Sequence, residues 1–203
     1  MRCLVRVVLL LLIFGLGAWM VIDLVHGSHR GPVLSFTLPG PSSASASSLS
    51  SSSTGTSILG RPSLSASFIE NVLTLAHSPA QGTGQTFYTE SLHTGIDDAF
   101  PFAFFLHESS LGRAGAATAT RNPGNITCAH VPPCLGNFRL YPTWAAGVQA
   151  LYHLLAHEYI PFHRSTLETI LPVYAPSSDG NDPLAYIAAV KASVVLWHQE
   201  AGK

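Results

Sequence analysis

The sequence predicts a mainly α fold of the α+β kind, a helical domain with a small β element, preceded by one membrane-spanning helix. Three observations predict it. Apolar residues recur at helical spacing through most of the second half of the chain. One central stretch, Gly115 to Leu140, breaks that rhythm with Gly and Pro punctuation and short β-like pieces. The N-terminus carries an apolar run closed by a single acid.

That run comes first. Arg2 and Arg6 precede Val7 to Ile22, and Asp23 ends it. Taken as a helix from Leu4 to Val25, it approaches the ~20 residues that cross a bilayer. The positive residues lie on its N-terminal side, so the N-terminus is expected in the cytoplasm and the remainder outside. A cleaved signal peptide is the rival reading, but Leu16-Gly17-Ala18 is a poor cleavage site. Cys3 lies before the run, not after it, which disfavours a lipid-modified N-terminus. Residues 1–25 are therefore expected to be an uncleaved anchor.

Residues 26–62 are expected to be a linker. His26 to Pro41 is rich in Gly and Pro, and nine of the twelve residues from Ser42 to Ser53 are serine. Such a stretch has too little apolar surface to offset the entropy of ordering. Residues 63–203 then form the folded domain, about 140 residues and enough for one core.

Within the domain, Leu64, Phe68, Val72 and Leu75 mark a first helix, and Gln85 to His93 a second. A third begins after Asp97-Asp98, tolerates Pro101 in its first turn and runs to Glu108, with Gly112 as its stop. It is apolar nearly all round, so it should be buried. Thr143 is expected to cap a long helix carrying Val148, Leu151, Leu155 and Tyr159. Ser165-Thr166-Leu167-Glu168 fits a capping box. Asp182 and Pro183 open a last helix through Tyr186, Ile187, Val190, Val194 and Trp197.

Charge narrows the function classes. Charged residues make up 10% of the 203-residue chain, against roughly 25% in an average soluble domain. The formal net charge is −1, so no global basic field points to nucleic acid. The ten histidines are scattered. His153 and His157 share a helix face at a metal-ligand spacing, but Glu158 follows the second of them, so the pair is not an H-E-x-x-H site. A surface histidine pair is expected. Cys128 and Cys134 flank Pro132-Pro133 and, outside the membrane, could close a small disulfide loop. With His130 they are too few for a four-ligand zinc site.

Glu108 is the candidate for chemistry. It is the only carboxylate between Asp98 and Glu158, and it ends the most apolar helix. A carboxyl in apolar surroundings has a raised pKa, because desolvation disfavours its charged form. That suits a general acid for glycosidic cleavage. A surface glutamate at a helix end fits the same position equally well.

The words around Glu108 carry a resemblance. Phe104-Phe105-Leu106-His107-Glu108-Ser109-Ser110-Leu111-Gly112 resembles the glutamate-serine segment of lysozyme-like glycan hydrolases, and among them most the bacterial glucosaminidase (endo-β-N-acetylglucosaminidase) family. Four further pieces agree in order: Ser78 to Gly84 with Gly95-Ile96-Asp97; Asn122 to Ile126; Phe138 to Trp144; and Tyr174-Ala175-Pro176 with Asp179, Asn181, Asp182 and Tyr186. The likeness covers most of Phe68 to Trp197.

The resemblance implies a lysozyme-like domain acting on peptidoglycan glycan strands, with no metal and no cofactor. Glu108 would protonate the glycosidic oxygen. Tyr174 would lie across the cleft, to stabilise an oxocarbenium-like transition state or place water. Ser109, Asn125, Ile126, Tyr141, Asp179, Asn181 and Tyr186 would form the substrate site. Asn125 and Ile126 would use backbone groups, and Tyr141 and Tyr186 would stack on sugars or simply pack. Pro176 stands where the family commonly has threonine, which leaves the second catalytic group open. Asp179 and Asp182 are candidates for a base, Asp182 also fitting a helix cap. Substrate assistance is the other route. A lytic transglycosylase and a non-catalytic wall-binding protein are the competing functions.

Overall fold

The computed structural model describes residues 55–129 and 131–202. The expected membrane anchor and serine tether lie outside them. No helix among the described residues is long and apolar enough to cross a membrane.

The domain is mainly helical. Seven α-helices are present among the described residues: α1 (Ala66–Leu75), α2 (Gly84–Thr94), α3 (Ala99–Ser109), α4 (Ala117–Thr120), α5 (Trp144–Leu154), α6 (Leu167–Tyr174) and α7 (Pro183–Ala201). The β element is one hairpin between α4 and α5, β1 (Cys134–Leu135) against β2 (Phe138–Arg139), antiparallel with Cys134 opposite Arg139.

Helix α3 is the hub. Phe102, Phe104 and Phe105 are all fully buried, and each faces a different neighbour. Phe102 meets Phe87 of α2 at 5.3 Å and Trp197 of α7 at 4.7 Å between ring centroids. Phe104 meets Tyr174 of α6 and Tyr186 of α7. Phe105 meets Trp144 of α5. A helix apolar all round is thus wrapped by helices all round, as burial of its whole circumference requires. Edge and tilted ring pairs add to the area term.

Several boundaries differ from the sequence expectation. Residues 56–62 belong to the domain, not to a linker. Ile58 is fully buried, Ser57 bridges Thr166, Leu59 bridges Ile96, and the Thr56 amide donates to Glu168 Oε2 at 2.7 Å. Single-residue pairings of this kind leave no periodicity to read. The capping box also shifts by one residue. Thr166, not Ser165, caps α6, and Thr169 closes the box, while Glu168 pairs with Lys191 of α7. Helix α3 ends at Ser109, with Ser110, Leu111 and Gly112 all left-handed at φ of 50°, 60° and 80°. A side chain at Gly112 would collide with the Trp144 ring, its Cβ 2.5 Å from the nearest ring atom.

The long helix begins at Thr143 as expected, whose side chain accepts from the Ala146 amide. Its α geometry stops at Leu154. A π-helical turn (Leu155–Tyr159) and a 3-10 turn (Ile160–Phe162) complete it. Asp182 caps α7 through bonds from the Leu184 and Ala185 amides.

Candidate functional site

Glu108 sits in the last turn of α3, where the hub helix reaches the surface. Its carboxylate is held from both sides. The Tyr186 hydroxyl donates to Oε1 at 2.7 Å, and Asn125 Nδ2 donates to Oε2 at 2.8 Å. The same amide also donates to the Glu108 backbone carbonyl at 3.2 Å. Burial pushes the Glu108 carboxyl above its ordinary value, against the two donors, which pull it down. Two donors aimed at the anion and a desolvating surround favouring the acid make a group that can both hold and release a proton.

The loop after α4 presents Asn125. Its φ of 45° is left-handed, a region Asn tolerates better than most residues. Asn122, fully buried, clamps this loop: Oδ1 accepts from the Ile126 amide at 2.9 Å, and Nδ2 donates to the Ile126 carbonyl at 2.9 Å and to the Arg139 carbonyl at 3.2 Å. Tyr174, at the end of α6, closes the loop from the other side by donating its hydroxyl to the Gly124 carbonyl. Any Cβ at position 124 would stand 2.6 Å from that hydroxyl and 2.8 Å from Leu151 Cδ1. Burial raises the Tyr174 and Tyr186 hydroxyls well above their ordinary values, with the Glu108 charge adding to it, so both are donors at any working pH.

These groups line a cleft of about 570 Å³. Glu108, Asn125, Ile126, Tyr174, Asp179 and Asn181 all border it, with Phe138 of the hairpin and Tyr159 of the π turn. No family model and no curated protein matches the chain. The site therefore rests on its own geometry.

That geometry takes Ser109 and Tyr141 out of the substrate site, decides Tyr186 for packing, and narrows the part of Ile126. Ser109 is buried at the end of α3, where its Oγ accepts from the Gly112 amide at 3.0 Å and faces the helix, not the cleft. Tyr186 is 3% exposed and offers no open ring face to a sugar; it holds Glu108 instead. Tyr141 is absent from the cleft lining. Its ring is half-buried and its hydroxyl is buried without a hydrogen bond of normal geometry. Ile126 does line the cleft, but its backbone amide and carbonyl are taken by Asn122 and Arg139, so only its side chain meets a ligand.

Asp179 and Asn181 are exposed at the rim, on and just after a 3-10 turn (Ser177–Asp179). Asp182 is occupied as the α7 cap. Cys128 and Cys134 form a disulfide, Cα atoms 5.8 Å apart, bracing the hairpin beside the cleft. His153 and His157 lie ring to ring at 4.3 Å and line a groove with Glu90. Among the described residues no group of three or more His, Cys, Asp or Glu could hold a metal ion.

Sequence reasoning missed two supports. The Glu108–Tyr186 contact spans 78 positions and has no local signal. His107 stacks on the Tyr186 ring at 3.7 Å between centroids, and burial lowers its imidazole below its ordinary value. A ring biased toward its neutral form buttresses Tyr186 while adding less charge beside Glu108.

Proposed function

We propose that this domain is a lysozyme-like glycoside hydrolase that cuts peptidoglycan strands at bonds next to N-acetylglucosamine, with Glu108 as the general acid. One observation carries the reading. Glu108 is desolvated, its pKa raised, and its carboxylate bridged by two donors in the lining of a cleft. In the proposed step, protonated Glu108 gives its proton to the glycosidic oxygen as the C–O bond breaks. The new carboxylate is then stabilised by Tyr186 and Asn125. A water adds to the sugar carbon and loses its proton to a base. Asp179 at the rim is the one other carboxylate in the lining, and the N-acetyl group of the substrate is the alternative. The N-terminal apolar run would hold this activity at the outer face of the membrane.

A lytic transglycosylase is the second reading, favoured by the exposure of Asp179: the cleft lining offers a single carboxylate withdrawn from solvent. Mass spectrometry of digested peptidoglycan separates the two. Hydrated N-acetylglucosamine reducing ends support the hydrolase, and anhydro-muramyl ends the transglycosylase. Glu108→Gln should keep the fold and lose activity by at least ~100-fold, the span of general acid catalysis. Cleavage by that variant at the wild-type rate rejects both readings.

A further inference from the structure

The Glu108 cleft does not end at its own walls. A second groove of about 560 Å³ continues from it, sharing Ile126, Thr127, Leu154, Tyr159 and Val173. Beyond those residues it takes in Arg139, His153 and Glu158.

Arg139 is the unusual member. Its backbone is locked to the catalytic loop: its amide donates to the Ile126 carbonyl at 3.0 Å, and its carbonyl accepts from Asn122 Nδ2 at 3.2 Å. Its side chain has no ion-pair partner among the described residues. Nε is buried and has no hydrogen-bond partner among the described residues. Among the described residues no ion pair joins Glu158 to Arg139, although both line the groove. The Tyr141 hydroxyl is likewise buried and makes no hydrogen bond of normal geometry. Burial raises that hydroxyl above its ordinary value, while the Arg139 charge and a loose side-chain hydrogen bond to Arg139 oppose the rise, so the two side chains lie against each other. A buried donor with no acceptor is costly and rare. What Arg139 lacks is a negative charge: the hydroxyl beside it is neutral, and a planar guanidinium matches a carboxylate best.

We propose that Arg139 forms an anion subsite that takes a carboxylate carried as a side group by the strand in the Glu108 cleft, so that the domain selects acidic glycan strands over neutral ones. The inference rests on the glycan reading of the Glu108 cleft and names its specificity. The lactyl group of a bare strand and the stem peptide of a substituted one both supply this chemistry.

The test is calorimetric binding by the full chain carrying Glu108→Gln, which blocks turnover. Four probes distinguish the cases: stem-bearing tetrasaccharides, stripped strands with free lactyl carboxylates, stem-bearing strands converted to methyl amides, and neutral chitotetraose. At least one carboxylate probe should bind about tenfold or more tighter than both neutral probes, the worth of one charge-assisted bond. Added salt should shrink the gap. Arg139→Gln should abolish the preference without weakening the neutral probes, and Arg139→Lys should retain part of it, with thermal melting as the check on folding. Stem-bearing and stripped strands tell which carboxylate is read. Equal binding of acidic and neutral probes, a preference that survives Arg139→Gln, or no binding of any probe overturns the subsite. Discrimination by a chain whose wild type cleaves nothing upholds the subsite and removes the hydrolase reading. Cleavage without discrimination does the reverse.

Discussion

The Glu108 carboxyl is pulled two ways: desolvation raises its pKa, and the Tyr186 and Asn125 donors lower it. Desolvation wins, but the donors set by how much. Removing the Tyr186 hydroxyl removes a bond to the ionised form, so the pKa must rise further. Tyr186→Phe keeps the ring against Phe104 and His107 and should move the alkaline limb of the pH–rate profile to higher pH. Activity at its optimum should drop by roughly tenfold, the size of one hydrogen bond to a charged group. An unshifted limb would mean Tyr186 only packs. The sequence made Glu108 visible because an acid at the end of an all-apolar helix contradicts its surroundings. It hid Tyr186, whose spacing on α7 reads as core and whose hydroxyl finds its partner only through the packing of α3 on α7.

At the scale of elements, the cleft is made where three chain segments arrive together: the end of α3, the loop after α4 and the end of α6. The loop is held there by Tyr174 on Gly124 and by Asn122 on Ile126 and Arg139. Gly124→Ala places a methyl group against the Tyr174 hydroxyl and Leu151, so it should destabilise by roughly 1–3 kcal/mol. Combining it with Tyr174→Phe should recover part of that, since one of the two clashes goes with the hydroxyl. Thermal denaturation of the two single variants and the double variant reads the coupling, and strict additivity would show that the contact carries no energy. Helix positions were legible where apolar residues recur at helical spacing, as in α1 and α7, or where the run is apolar throughout, as in α3. Ends were less so. Thr166 took the cap from Ser165 because Thr169 could answer it and Glu168 was drawn away by Thr56 and Lys191.

At the scale of the whole domain, the first residues matter more than their composition suggests. A polar stretch such as Ser57 to Ser63 looks like tether, yet Ile58 fills the core and Ser63 and Leu64 donate backbone amides to Asp98 Oδ1 at 3.0 Å. A domain begun at residue 61 should be less stable than one begun at 55, by roughly the 1.5–3 kcal/mol of one buried isoleucine. Comparing their chemical denaturation midpoints checks this, and equal midpoints would return the segment to the linker. Asp98 adds a pH dependence. It is fully buried, and burial, with Asp97 beside it, pushes its carboxyl from 3.8 to about 7. The folded domain therefore keeps a proton that the unfolded chain releases. Its contribution is full below pH 3.8 and is lost as pH rises through about 7. Asp98→Asn, which mimics the protonated acid, should flatten the fall in Tm across that window. An unchanged slope would place the titration elsewhere.

The clasp at Ser63 has one more consequence. Its hydroxyl donates to Asp97 and accepts from His198 Nε2, late in α7, at 2.7 Å. A residue at the start of the helical domain thus touches one near its finish. Fraying of α7 near His198 therefore loosens the segment ahead of α1 as well, and the two flanks of the helical array should come undone as one unit.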